Sequence, residues 1–487
     1  MADFPSFEEI SHQAEQLEEL QDMLSDPDDV SSSRVCEFIK NSFLINDLRT
    51  LAEELVDLFV IRPDKESYII RIIKKLIKKS KSVSELSNLK HAILNIFYPK
   101  HASSRPVAIL RSMLDAKIFK STEIIDVVLE QTLDYIDFLM FAPEIFSCSK
   151  DMFEQFKKEF SKQINQVYNI DALFEDDFSF LKECYKYKSV PNSPQFCIMK
   201  DDIDLFQSCY ASKNEFNINK KLVWSPFGFF NGKCFDKKSN EVSLISYAAN
   251  FGSIKIFKFL YLNMSKEELI RKKNTILMHC ATVGNNPEII HILEHANLPF
   301  NKAIKTAIYF RREELYEWFT TVKLGRKKVE KPDFIMKTAI SCIRSNNMKF
   351  LSYVLDYSKS LERDKQYQCL RYAVQYNRMF MTRFLVSHAL NEFKKLKIIP
   401  QNDQPSLLCY AVMQNDIDMV KFVISFDSKN KNHPPNVQGK KYPRAFDIAV
   451  KHDPSKKGTL CKFLKKHKCY QTDNMVAPID NAGCIIM

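Results

Sequence analysis

The sequence predicts an all-α protein: a helical N-terminal domain followed by an α-solenoid of degenerate helix-turn-helix repeats, with a β-hairpin candidate inserted near the join. Three observations predict it. Apolar residues recur at helical spacing over most of the chain, strand-type alternation is weak throughout, and the second half repeats a single two-helix plan. The expected divisions are an acidic, loosely attached segment (1–29), an all-helical domain (30–190), about eight repeats (191–469) and a flexible C-terminal tail (470–487).

In the N-terminal half, helical stripes run through 34–61, 64–79, 83–97, 106–119, 121–141 and 150–168, interrupted by Pro63, Pro99, Pro106 and Pro143. Lys74, Lys75, Lys78 and Lys79 read as the wet face of one of these helices. The second half lines up with itself. A small residue (Cys197, Ala248, Cys280, Thr306, Cys342, Ala373, Ala411, Ala449) sits in each first helix, with Gly, Asn or Asp about four residues on. A second helix then ends in paired large apolar residues. From Ala248 onward these anchors lie 32, 26, 36, 31, 38 and 38 residues apart. That scatter surrounds the roughly 33-residue period of ankyrin arrays, although the usual Thr-Pro-Leu-His opening is absent, so the array is degenerate. Each unit offers an apolar stripe that only a neighbouring unit can cover, and Gly or Asn in the turn tolerates the left-handed conformation that ends a first helix.

Composition bounds the function. The 487 residues are 45% hydrophobic and 27% charged, which suits folded rather than disordered protein. No apolar run approaches the roughly 18 residues of a membrane span, and the acidic start reads as no secretory signal, so a cytoplasmic protein is expected. None of the 13 cysteines forms a CxxC pair, and they read as small buried hydrophobes in a reducing compartment. The net charge of +11 comes from lysines spread over helix faces, which argues against nucleic acid as the partner. A nuclear, nucleic-acid-associated role through GRKKVEK (325–331) remains an alternative.

With RPDKESYIIRIIKKL in a helical N-terminal half and SLISYAANFGSIKIFKFL, GNNPEIIHIL and AIKTAIYFRREELYEWF behind it, the chain resembles the expanded ankyrin-repeat family of parasitic protists. The N-terminal region of that family is a domain of unknown function. The resemblance implies an intracellular interaction protein and supplies no catalytic residues.

No enzyme and no cofactor are expected. FGFFNGKC (227–234) spaces Gly228 and Gly232 one residue too close for a phosphate loop and puts Cys234 where a hydroxyl is needed. HILEH (291–295) matches a zinc-peptidase pattern through His291, Glu294 and His295, which makes a metal-dependent hydrolase the rival reading. Its place at the end of a second helix, matched by His388 in the equivalent position of a later repeat, favours a capping role. The insertion at 211–245 carries a hairpin signal, Asn231-Gly232, and four aromatics, Trp224, Phe227, Phe229 and Phe230. These are either anchors for an unidentified protein partner or rings folded back on the join between the two halves. The final four residues, Cys484-Ile485-Ile486-Met487, match a prenylation signal on an exposed leash, with the terminal Met favouring farnesyl. Lys462, Lys465, Lys466 and Lys468 upstream would add attraction to anionic lipid, and Cys469 is a candidate second acylation site. The expectation is a monomeric cytoplasmic adaptor, held in part on cytoplasmic membrane faces.

Overall fold

The computed structural model describes residues 6–25, 30–80, 82–97, 106–130, 133–166, 168–212, 217–229, 241–265, 275–300, 303–325, 329–357, 363–393, 405–431, 436–437, 440–441, 444–452 and 458–469. Among these the protein is mostly helical, as the apolar periodicity requires. No helix in the described residues is long and apolar enough to cross a membrane.

In the N-terminal half the helix starts are set by short polar caps. Ser31, Asp47, Asp134, Ser149 and Asn169 each accept an N–H from the first turn of the helix that follows. Pro143 was expected to end a helix, but Tyr135–Cys148 passes through it with a kink at Phe141 (φ −123°). In Glu66–Lys79 one side is buried (Ile69, Ile72, Ile73, Leu76) and the lysines face out, with Lys75 donating to the Ser32 and Ser33 hydroxyls.

Over residues 6–25 the expected loose attachment of the N-terminal segment is corrected by the structure. Phe7–Ser25 forms a helix that is tied into the protein, with Ile10, Ala14, Leu17, Leu20 and Leu24 buried. Its acidic residues lie on the opposite side, which is why the segment looks detached by composition alone. It packs on the helices Met348–Tyr357 and Met379–Phe393, more than 300 residues along the chain, with the Phe7 ring edge-on to His388 at 5.9 Å.

The second half comprises eight successive helix pairs. In order, their first helices are Pro194–Lys200, Leu244–Asn250, Thr275–Gly284, Ile304–Tyr309, Pro332–Arg344, Arg363–Gln375, Leu407–Met413 and Ala445–His452. Each first helix contacts the next along the series. The eight small residues singled out by the repeat all lie in these helices and are buried. Pair 1 is separated from pair 2 by the insertion, where Lys221–Val223 pairs antiparallel with Glu241–Ser243. A second, two-residue pairing, Asn436–Val437 with Lys440–Lys441, gave no sequence signal.

The link between the helices of a pair is the same in pairs 1 to 7. Asp201, Gly252, Asn285, Arg311, Asn346, Asn377 and Asn415 have φ between 49° and 66°. Gly pays nothing for this conformation and Asn or Asp pays little, so the composition of the turns follows from sterics. Arg311 is the exception. Beside the turns of pairs 3 to 7 a side chain reaches back to a carbonyl at the end of the preceding first helix. These bonds run from Asn286 to Gly252 (3.0 Å), Arg312 to Val283 (2.8 Å), Asn347 to Ile308 (3.0 Å), Arg378 to Arg344 (2.9 Å) and Gln414 to Gln375 (2.9 Å). Carbonyls orphaned at helix ends are thereby satisfied by the neighbouring pair.

Pairs 2 and 3 approach each other closely at Gly284. A Cβ added at Gly284 would lie 2.1 Å from the Ala249 carbonyl oxygen. Gly284→Ala therefore cannot be absorbed by a side-chain shift, and Ala373→Leu or Ala411→Leu would force open the corresponding contacts further along. Each is expected to cost about 1–3 kcal/mol, with Gly284→Ala at the upper end. Urea unfolding midpoints check this, and unchanged midpoints in all three variants would sink the packing account.

Candidate functional site

The aromatics of the insertion are not exposed anchors. Trp224, Phe227 and Phe229 are 5%, 1% and 5% exposed, and Phe230 lies outside the described residues. Trp224 lies against Tyr247 of pair 2 (5.1 Å), Phe227 sits between Tyr168 and Tyr185, and Phe229 meets the edge of Phe59 (5.5 Å) beneath the Lys188 ammonium. Ser225 Oγ donates to the Lys188 carbonyl at 2.8 Å. Large rings flanking a chain crossover gain more from mutual burial than from water, so they seal the join between the two halves.

The lysines of the last helix, Thr459–Lys466, behave differently. Lys462, Lys465 and Lys466 lie one turn apart on its exposed side, opposite the buried Cys461 and Leu464, and Lys468 follows, also exposed. This leaves a solvated basic strip. Cys469 is corrected as an acylation candidate: it is buried, and burial pushes its thiol up. Cys484 lies outside the described residues, as do 326–328 of the basic GRKKVEK segment.

The zinc-peptidase pattern folds into the outer helix of pair 3. His291 and His295 turn their Nε2 atoms toward each other at 3.0 Å, and His291 Nδ1 stands 4.0 Å from Glu294. Lys323 binds that carboxylate and holds it below the usual carboxylate range, opposite to the shift a proton acceptor near neutrality needs. Among the described residues no group of three His, Cys, Asp or Glu side chains is placed to hold a metal ion.

The densest set of buried charge lies elsewhere, where Phe7–Ser25 and Leu48–Ile61 meet the turns of pairs 4 to 7. Arg311 sends its guanidinium to both oxygens of Glu54, with Nη2 to Oε2 at 2.9 Å, and neither side chain reaches solvent. Gln21 donates to Glu54 Oε2 (2.9 Å) and to the Asn346 carbonyl (2.8 Å), while its Oε1 accepts from the Met348 N–H (3.0 Å). Arg378 binds Asp57 (2.9 Å) and Glu53 (3.4 Å). Arg49 binds Asp416 (2.7 Å), Glu53 (3.3 Å) and the Asn377 carbonyl (3.1 Å). Sequence reasoning missed this clasp. Its one visible signal was an arginine pair, Arg311-Arg312, standing where the other turns carry Gly, Asn or Asp.

Between pairs 4 and 5 the described residues line a cavity of about 380 Å³, among them Tyr316, Thr320, Phe334, Ile335, Tyr353 and Val354. No protein-family model matches the chain, and no curated protein is significantly similar to it. The reading of function therefore rests on the chain's own geometry.

Two predictions follow from the clasp. Glu54→Gln leaves a buried guanidinium uncompensated and is expected to cost about 3–5 kcal/mol, whereas Glu54→Leu with Arg311→Asn should cost much less than the two single changes together. A double-mutant cycle by chemical unfolding reads the coupling, and strict additivity would mean the pair does not interact. The second concerns acid. Burial alone would raise Asp416, but Arg49 and hydrogen bonds from the Met419 N–H and the Asn377 amide hold it below its ordinary value. A carboxylate so depressed contributes its full stability above the unfolded value of about 3.9 and loses it as pH falls through the folded value. Asp416→Asn should accordingly flatten the stability profile below about pH 4, and a profile as steep as the parent's would exclude Asp416 as a source.

Proposed function

We propose that this chain is a non-catalytic interaction scaffold, an ankyrin-type α-solenoid of eight helix pairs that presents its surface to a protein partner. The observation that carries the reading is the left-handed residue at the same place in seven consecutive turns, with the small residue of each first helix packed on its neighbour. Sequential first-helix contacts and the ladder of side-chain bonds between turns belong to the same repeat geometry. The ankyrin resemblance of the sequence agrees with this and points to recognition rather than turnover.

Tethering to a membrane is the second part of the reading. If Met487 is the mature end of the chain, Cys484 is the site of a farnesyl group, and the exposed strip of Lys462, Lys465, Lys466 and Lys468 supplies the charge attraction that one lipid chain needs for a stable hold.

The scaffold reading is tested by affinity capture followed by rebinding of the purified partner to the purified chain, with metal analysis alongside. Saturable binding in the absence of stoichiometric zinc is expected. Stoichiometric zinc that disappears in His291→Ala, with no saturable partner, would replace the scaffold by the hydrolase reading.

A further inference from the structure

We propose that the first helices of pairs 5 and 6 carry a site for an acidic segment of a partner protein, in which Arg371 and Arg344 receive its carboxylates on either side of the stacked Tyr372 and Tyr376 rings. The proposal deepens the scaffold reading and rests on it. Among the described residues three arginines are buried to 8% exposure: Arg111, Arg311 and Arg371. Taking a guanidinium out of water is costly, and a paired carboxylate offsets that cost. Arg111 has Glu144 at 2.8 Å with Asp115 beside it, and Arg311 has Glu54. Arg371 has no carboxylate and no hydrogen-bond acceptor among the described residues. Its contact is the face of Tyr372, 4.7 Å from the ring centroid. Its Nε is sealed from water, whereas neither Nη is, so the forked end of the guanidinium is the part left open. The other two arginines show what a guanidinium at this depth binds in this protein, and for Arg371 that group must be supplied from outside.

The rings extend the site. Tyr372 stacks on Tyr376 one turn further on, with centroids 6.1 Å apart and planes 16° apart, and Arg344 of pair 5 lies over the Tyr376 ring at 5.8 Å. Cation and aromatic faces therefore alternate along a strip that crosses from one pair to the next. Arg344, Tyr372 and Tyr376 are each partly exposed, while Ala373 and Val374 between the two rings are buried, so the strip keeps an edge in solvent. Arginine and tyrosine are also the side chains that carry most binding energy at protein interfaces, because both cover large areas with few rotors to freeze.

The chain's own carboxylates stay away from this strip. The acids of the two helices are Asp333 and Asp364, both in the first turn, and Asp364 lies about two turns before Arg371. Asp333 is engaged with Lys365 at 4.0 Å. Leu407–Met413, the first helix of pair 7, packs on that of pair 6 and has no charged residue. Burial pushes the Tyr367 hydroxyl up, the buried Asp427 of pair 7 adds to this and Arg371 opposes it, yet Asp427 forms no ion pair with Arg371. At the other end burial also raises the Tyr376 hydroxyl, and the charge that opposes it is that of Arg344. A planar fork with its Nη end open accepts a carboxylate in its plane, as Arg311 does with Glu54.

The probe is a hexaglutamate peptide titrated into the full-length chain at low salt and followed by calorimetry. Saturable binding is expected, weakened at least tenfold by Arg371→Met and by Arg344→Gln, and unchanged by Lys465→Gln with Lys466→Gln, which thins the basic strip of the last helix. Stability separates a binding arginine from a structural one. A buried guanidinium without a partner destabilises the free chain, so Arg371→Met should raise the urea midpoint measured without peptide, and Arg344→Gln, at a partly exposed position, should leave it in place. A midpoint that does not rise in Arg371→Met makes that arginine structural and overturns the proposal. Absence of saturable binding overturns it too, as does binding that the lysine change abolishes and Arg371→Met preserves. Tighter binding of a phosphoserine peptide of equal charge would make the ligand a phosphate and overturn the carboxylate assignment. A captured partner that holds Arg371→Met as tightly as the parent sinks the site and leaves the scaffold standing, whereas a chain that captures no partner sinks both.

Discussion

In pairs 1 to 7 a left-handed residue at the end of the first helix reverses the chain within two or three residues, so that the second helix lies back along the first. Everything else in the second half depends on that reversal. It brings the residue beside each turn within reach of the preceding pair's last carbonyls, and the bonds made there fix the spacing and rotation from one pair to the next. It also aligns the turns along one edge, where a second set of elements can grip several pairs at once. The small residues of the first helices serve the same end, since a larger side chain at Ala373 or Ala411 would push neighbouring pairs apart before the turn bonds could form.

Arg311 shows what happens when the rule is broken. A non-glycine, non-Asx residue in this conformation carries strain of the order of 1–3 kcal/mol and persists where its surroundings over-determine it. Here the surroundings are Glu54 and the Asn346 carbonyl, which accept from the guanidinium, and Gln21, whose amide donates to both of those acceptors. A buried ion pair of this kind contributes little net stability over a well-packed apolar pair, because desolvating two charges costs nearly what their attraction returns. Its effect is on specificity. A buried arginine tolerates only a carboxylate in the right place, so the clasp fixes which turn the helix Leu48–Ile61 meets, and with it the furrow that the N-terminal helix fills. Arg312 beside it has no such carboxylate partner. Burial, with the Arg62 charge adding to it, brings it down to about 10.

The clasp also limits what the protein can do with its surface. The turn edge of pairs 4 to 7 is occupied by the chain's own N-terminal half, and the aromatics of the insertion are consumed in sealing the other end of that contact. The faces that the N-terminal half does not cover include the cavity between pairs 4 and 5 and the basic strip of the last helix. The two are chemically unlike, one apolar and concave, the other cationic and flat, and they suit different ligands.

The sequence by itself determined the elements. Helical periodicity, the small residue of each first helix and the Gly, Asn or Asp of each turn are local demands of sterics and burial, so they are written in the residues that obey them. Six of the seven left-handed turns carry the Gly, Asn or Asp of that pattern, and Arg311 stands at the seventh. What only the tertiary structure decided is every contact between distant segments. The N-terminal helix looked detached because its acidic face dominates its composition, while its partners, Met348–Tyr357 and Met379–Phe393, are not neighbours in sequence. Trp224, Phe227 and Phe229 are equally consistent with a free surface and a sealed join, since a ring does not record which surface will desolvate it. Glu54 and Arg311 lie 257 residues apart, and no spacing rule connects them. Local chemistry dictates local conformation, but the pairing of surfaces depends on shapes that exist only once the helices have stacked.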